Sequence, residues 1–184
     1  TAQVLKRQNH DNQIICTNTD NSGFWLNLKK IKYYVSGKKI LILGAGGVVP
    51  SIIFALNSMN VSRITVTNRT KEKAEKLKYL SKDLILADWG DVSDFDMIIN
   101  ATSVGLNTNE KIDLDLSKVG QNKFFYDVIY NPGETNFLKT GKDLGNRTEN
   151  GKFMFIYKAH QAFTIWHKLM PKINDEVINI VTND

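Results

Sequence analysis

The stretch Gly37-Lys-Lys-Ile-Leu-Ile-Leu-Gly44-Ala-Gly46-Gly47-Val-Val-Pro50, answered by Ile64-Thr-Val-Thr-Asn68-Arg69-Thr70, decides the reading of this chain. A short apolar run, Ile40 to Leu43, ends in clustered glycines. An apolar helical pattern then follows through Ile52, Ile53, Leu56 and Met59. A strand that turns through glycine into a helix brings the helix N-terminus and bare backbone N–H groups up to a phosphate. Glycine is needed because a Cβ would block the approach or clash in the turn. A second strand, 63–67, ends where a dinucleotide fold reads the adenosine ribose. An NAD site offers Asp or Glu there to the 2′-hydroxyl, whereas a 2′-phosphate calls for Arg. This chain offers Arg69 between Asn68 and Thr70, with Lys71 and Lys73 following. That is the signature of an NADP site. On these two motifs alone, the competing reading is an ordinary βαβ turn with Arg69 as a solvated surface charge.

Two details qualify the fingerprint. Val49 occupies the third glycine position of Gly-x-Gly-x-x-Gly, so the helix is expected to stand farther from its strand. Pro50 falls just inside the helix start, where a missing N–H costs nothing and the fixed φ helps.

The rest of the chain fits one sheet-forming domain plus part of another. At 184 residues and 42% hydrophobic, it can bury a real core. The net charge of +5 suits anionic ligands, but the lysines are scattered along helical faces, so nucleic acid is not implied. A single cysteine, Cys16, excludes an internal disulfide and is consistent with a reducing cytoplasm. No apolar run approaches bilayer-spanning length, and no membrane partner is expected. The chain opens on Thr1, read as a sign that something was removed upstream.

Periodicity predicts a strand at 13–17 and a helix carried by Phe24, Leu28, Ile31 and Val35, capped by Asp20 or Asn21 and ended by Gly37. It then predicts strand 39–43, helix 48–59, strand 63–67, helix 71–80, and strands 83–87, 96–100 and 123–128. Strands alternating with helices imply right-handed crossovers and a mostly parallel sheet, here a Rossmann-like three-layer αβα arrangement with the strand ending at Leu43 central. From Glu134 the chain is read as helical, with a break at 145–151 and a long helix from Phe153 to Met170 stopped by Pro171. The second Asn-Arg-Thr, at Asn146 to Thr148, is read as loop. Trp25, Trp89 and Trp166 are read as packing residues. His160 and His167 are seven apart on one helix, not the i, i+4 spacing of a metal pair, so no metal is expected.

Four further clusters fall just past strand ends: Asn18-Thr19-Asp20; Asn100-Ala-Thr102-Ser-Val-Gly105; Asp127-Val-Ile-Tyr130-Asn-Pro132; and Gly151 with Met154. With Gly44-Ala-Gly-Gly47 and Asn68-Arg-Thr70, their order and spacing resemble the shikimate dehydrogenase family over essentially the whole chain. The resemblance implies NADPH-dependent reduction of 3-dehydroshikimate to shikimate in aromatic amino-acid biosynthesis. It implies that Gly44, Ala45, Gly46, Gly47 and Val48 cradle the pyrophosphate, and that Asn68, Arg69, Thr70 and Lys73 hold the 2′-phosphate. Lys73 stands where the family often has Arg, exchanging a bidentate contact for a point charge. Asn100, Thr102, Val128 and Gly151 are implied to line the nicotinamide half. Asp20 matches the catalytic aspartate and Tyr130 a substrate-contacting tyrosine, while Asp127 is read as fixing the turn into Asn131-Pro132. Reducing a ketone develops an alkoxide, which wants a nearby acid or cation.

The family's catalytic lysine, its substrate-binding Ser motif and its Asn-x-Thr-x-Pro-x-Lys motif have no counterpart in these residues. The family's substrate-contacting glutamine aligns with Lys158, and an asparagine near the start with Gln3. Lys158 is therefore either a solvated lysine or a substrate-facing one. The expected organisation is residues 1–19 as a remnant of a substrate domain, 20–150 as the NADP-binding domain, and 151–184 as helices returning toward the substrate domain. The chain is read as a fragment, a diverged form, or both. Two functions stay open: the NADP-binding portion of a shikimate dehydrogenase, weak or inactive by itself, and a stand-alone NADP-binding module. A small-molecule substrate is expected, with apolar side chains of the terminal segments driving homodimerisation or other association.

Overall fold

The computed structural model describes residues 4–7, 14–92, 95–117 and 119–182. Two compact units emerge: Val35–Gly151, the sheet unit, and Thr1–Tyr34 with Lys152–Asp184, the helical unit. The helix beginning at Asp20 thus belongs with the C-terminal helices, and the sheet unit begins at Val35.

In the sheet unit, β3 (Lys39–Leu43), β4 (Arg63–Thr67), β5 (Leu84–Ala87), β6 (Met97–Asn100), β7 (Phe124–Asp127) and β8 (Arg147–Glu149) form one parallel sheet in the order β5-β4-β3-β6-β7-β8. The sheet is Rossmann-like, as its sequence pattern predicted. β3 lies between β4 and β6, and Ile40 to Leu43 are all at most 2% exposed, which explains an apolar run without alternation. Helix α2 (Val49–Ser58) follows β3, and α4 (Asn136–Asp143) follows β7. Chain order leaves β3 in opposite directions toward β4 and β6, so right-handed crossovers put α2 and α4 on opposite faces. Leu41, Leu43, Ile98 and Phe125 meet Phe137 and Leu138 of α4 in one cluster. The opposite-facing Ile40 and Ile42 are equally buried, as are Ile52, Ile53 and Leu56 of α2.

In the sheet unit two elements depart from expectation, and in the helical unit the helix from Asp20 ends at Lys30, short of the expected stop at Gly37. Asn146 to Thr148 is not loop: β8 spans Arg147–Glu149 and pairs parallel with β7. Three residues without apolar alternation carry no strand signal of their own, and tertiary pairing makes the strand. The helix expected over 71–80 is a short α3 (Lys71–Glu75) followed by a 3-10 turn at Lys78–Leu80. Only Ala74 and Leu77 of this segment are buried, too little apolar contact to hold a longer helix.

In the helical unit, β1 (Val4–Arg7) and β2 (Ile14–Thr17) form an antiparallel pair. Helices α1 (Asp20–Lys30), α5 (Lys152–His167) and α6 (Asp175–Thr182) complete it. Gly23 lets α1 approach α5, since an added Cβ would lie 2.6 Å from the Met154 carbonyl oxygen. Helix α5 ends at His167, three residues short of Met170. Ile14, Ile15, Phe163 and Trp166 are exposed while Ile156 is buried. Trp25 is also exposed, so Trp25 and Trp166 are not the packing residues their type suggested. Cys16 on β2 is exposed. Gln3 lies outside the described residues, and so does the side chain of Leu5.

Candidate functional site

Because all six strands of the sheet unit run parallel, their carboxyl ends share one edge, and the strand order switches there: from β3 the sheet grows one way through β4 and β5 and the other way through β6, β7 and β8. Such a switch point opens a crevice for ligands. A cleft of about 300 Å³ lies at this edge, lined by Gly44, Ala45, Gly46, Asn68, Arg69, Lys73, Trp89 and residues 101–104.

Gly44 has φ +107°, and a Cβ there would meet the Ala101 carbonyl oxygen at 2.9 Å, so the turn off β3 admits only glycine. At Gly46 the nearest atom to an added Cβ is 3.8 Å away. The bare backbone therefore faces open cleft, the cradle that a pyrophosphate needs. The turn enters α2 with Pro50 in its first turn, and Val49 at the third glycine position is fully buried.

At the end of β4, the Asn68 side-chain amide donates to the Thr70 carbonyl at 2.7 Å. This bond shapes the short loop that carries Arg69. Arg69 and Lys73 are exposed along the cleft and have no carboxylate partner among the described residues. The neighbouring acid, Asp88, lies 3.5 Å from Lys71 instead, in an exposed pair worth little stability. Two cations without an acid fit a phosphate monoester and not a ribose diol. Trp89 also lines the cleft, its indole N–H donating to the Asp113 carbonyl at 3.0 Å. The residue type alone suggests packing. Its place just past β5, beyond Ala87, was the available signal.

Gly47, Val48 and Thr70 do not line the cleft. Asn100 is fully buried and turned into the protein: its amide donates to Asp127 Oδ1 and Oδ2, each at 3.1 Å, and to the Val104 carbonyl. Thr102, held through its hydroxyl by Asn100 Oδ1 at 2.7 Å, is the member of this turn that reaches the cleft. Val128 and Gly151 come together, with the Gly151 N–H donating to the Ile129 carbonyl at 3.0 Å. A Cβ at Gly151 would overlap the Val128 carbonyl oxygen. Strand β8 makes this contact, because its parallel register delivers Gly151 to the same edge as the end of β7. Tyr130 stands beyond β7, 39% exposed.

The helical unit holds a second cluster. Asp20 is the first residue of α1 and is buried; Lys158 of α5 reaches its Oδ1 at 2.8 Å. Lys158 stays one-third exposed, so it keeps ammonium hydrogens for another partner. Asp20 does not cap α1. The N-cap is Thr19, without a side-chain cap bond, and Asn18 Oδ1 accepts from the Asp20 N–H at 3.0 Å. The Thr19 hydroxyl is buried with no hydrogen-bond partner among the described residues. A carboxylate, an ammonium and an unused hydroxyl thus gather on α1 and α5. His160 and His167 are engaged elsewhere, His160 at the Pro171 carbonyl and His167 against the Phe163 ring.

The family pattern for shikimate / quinate 5-dehydrogenase matches residues 26–131. A shikimate dehydrogenase (NADP(+)) of Pelagibacter ubique is 53% identical over 171 residues, covering 93% of this chain and 64% of the relative. The shikimate dehydrogenase of Aquifex aeolicus superposes with a TM-score of 0.84 at 30% identity, over 98% of this chain and 65% of that one. A shikimate dehydrogenase solved in complex with NADP+ gives 0.84 at 33% identity, over 97% and 64%. The chain spans a little under two thirds of each. On the strength of the match across 26–131 and of these relatives, the chain belongs to the shikimate / quinate 5-dehydrogenase family.

Proposed function

We propose that this chain forms the NADP-binding and C-terminal part of a shikimate dehydrogenase, which reduces 3-dehydroshikimate to shikimate with NADPH in aromatic amino-acid biosynthesis. The observation that carries the cofactor assignment is the cleft where Arg69 and Lys73 stand beside the open backbone of Gly44 to Gly46. Gly44, Ala45 and Gly46 face the pyrophosphate, with Gly47 and Val48 completing the turn into α2 behind them. Asn68, Arg69 and Lys73 face the 2′-phosphate from the loop that Thr70 closes, and Thr102, held by the buried Asn100, serves the nicotinamide half together with Val128 and Gly151. NADPH, when bound, supplies a hydride to the ketone carbon. Asp20 then serves the proton chemistry that the developing alkoxide requires and orients the substrate's hydroxyls, with Lys158, 2.8 Å from its carboxylate, facing the same substrate. Tyr130 contacts the same substrate.

In this reading the sheet unit, Val35–Gly151, is the NADP-binding domain, shorter at its start than the 20–150 expected from sequence, and the helical unit belongs to a substrate domain. Among the described residues no helix is long and apolar enough to cross a membrane, and a cytoplasmic location with no nucleic-acid or membrane partner accords with the reading. The exposed Phe163, Trp166, Leu169 and Met170 supply a surface for homodimerisation.

The cofactor assignment is tested by titration. NADP(H) is expected to bind the 184-residue chain more tightly than NAD(H), and Arg69→Ala to narrow the gap by about 1–3 kcal/mol, the scale of a charge-assisted contact. Equal affinities in the unmutated chain would overturn it.

A further inference from the structure

Asp127 ends β7, fully buried, and accepts from three groups. Asn100 Nδ2 lies 3.1 Å from both carboxylate oxygens, the Ile129 N–H donates to Oδ1 at 3.0 Å, and Thr135 Oγ1 donates to Oδ2 at 2.7 Å. None of these partners is charged. Burial pushes the carboxyl up to about 6 against the pull of the Thr135, Ile129 and Asn100 hydrogen bonds. An unpaired buried carboxylate is a costly choice for stability alone. What it offers is acceptor capacity without a donor, and here that capacity is fully used.

Asn100 passes the constraint onward. Its Oδ1 accepts from the Thr102 N–H at 3.1 Å and from Thr102 Oγ1 at 2.7 Å, and its amide also donates to the Val104 carbonyl at 3.1 Å. Thr102 Oγ1 in turn accepts the Val104 N–H at 3.1 Å. Residues 102–104 line the cleft; Asn100 and Asp127 do not. The carboxylate therefore controls a turn that reaches the site without reaching it itself. It has no such bond to the loop carrying Arg69.

We propose that Asp127 is a positioning residue for the dinucleotide: through Asn100 it presets the 100–104 turn for the nicotinamide half, independently of the Arg69 and Lys73 end that takes the adenosine half. The inference rests on the NADP reading above. It goes beyond that reading by assigning the two halves of the ligand to separately held pieces of the chain.

The test titrates the full chain and Asp127→Asn with two ligands, NADPH and adenosine 2′,5′-bisphosphate, which lacks the nicotinamide half. The substitution sets an amide NH2 against that of Asn100. NADPH affinity is expected to fall about tenfold or more, the scale of leaving a buried donor unmet, while affinity for the bisphosphate stays within about twofold. Equal losses for the two ligands, or no loss for either, would overturn the proposal and leave Asp127 a folding element only. Should Asp127→Asn not fold, Thr135→Val removes one of the carboxylate's bonds and is expected to show the same selectivity at about threefold; an unselective loss overturns the proposal equally. An unmutated chain that binds neither ligand would remove the NADP reading itself. Binding of both ligands by the unmutated chain with unselective variants would leave that reading intact and remove only this one.

Discussion

The sheet unit and the helical unit handle their apolar residues differently. In the first, every residue of Ile40 to Leu43, Met97 to Ile99 and Phe124 to Tyr126 is at most 2% exposed, and the polar groups at the strand ends are tied into bonds. In the second, Ile14, Trp25, Trp166, Leu169, Met170 and Ile180 stand in solvent at 41% or more. The sheet unit leaves Phe54, Ile85 and Leu106 exposed, but on α2, an edge strand and a loop, around central strands that are fully covered; a two-stranded hairpin with helices has no such covered centre. The lesson is a division of labour. The cleft proposed for the cofactor sits on the unit whose geometry is locked by packing, and the Asp20–Lys158 ion pair on the unit whose core is thinner.

The comparison breaks most readily on catalysis. The 184-residue chain, assayed alone, is expected to bind NADPH yet reduce 3-dehydroshikimate about 10³-fold or more slowly than its full-length relatives, because losing one member of an acid–base set commonly costs that much. A steady-state assay at saturating NADPH decides. Activity near that of the relatives would show that Lys158 replaces the family lysine, and Lys158→Gln would then abolish it.

A smaller effect sharpens the account of the sheet unit. Folding raises the Asp127 carboxyl from 3.8 to about 6. A raised folded value means that the native state binds the proton more tightly. Stability is therefore greatest below about pH 4, falls as pH rises through 6, and levels off above it, by a total on the order of 3 kcal/mol from this group. Urea titrations between pH 4 and 7.5 are expected to show that slope on the unmutated chain, superimposed on other groups, and to lose it in Asp127→Asn. An unchanged slope in the variant would assign it elsewhere.

The smallest effect concerns the helical unit. Lys158→Met leaves the buried Asp20 without its cation. Because Lys158 is one-third exposed and partly screened, the cost is expected at about 1–2 kcal/mol, below that of a fully buried pair. NADPH affinity should not change. A matching drop in NADPH affinity would show that the two units are not energetically separate.

How much of this was legible beforehand follows from how local each signal is. β3 and β4 begin and end at the predicted residues because an apolar run against clustered glycines, and an alternating run before Asn-Arg-Thr, are complete within seven or eight residues. β8 was missed because its identity comes from β7, some twenty residues away, and its own sequence is polar. The Asp20–Lys158 pair joins residues 138 positions apart, so spacing could nominate each side chain but not their meeting. Asn100 was nominated for the cofactor and turned out to face Asp127 instead. A sequence shows that a polar residue ends a strand, and not which way its side chain leaves.

Cys16 has a practical consequence. It is the sole thiol of the chain and lies exposed on β2, in the helical unit. A maleimide dye would attach at one place only, with no cysteine to remove first. Its emission would watch the helical unit, and with Trp25 and Trp166, both of that unit, changed to Phe, the intrinsic fluorescence of Trp89 would watch the cleft. Two optical channels, one on each unit, would then follow ligand addition and denaturation in a single sample.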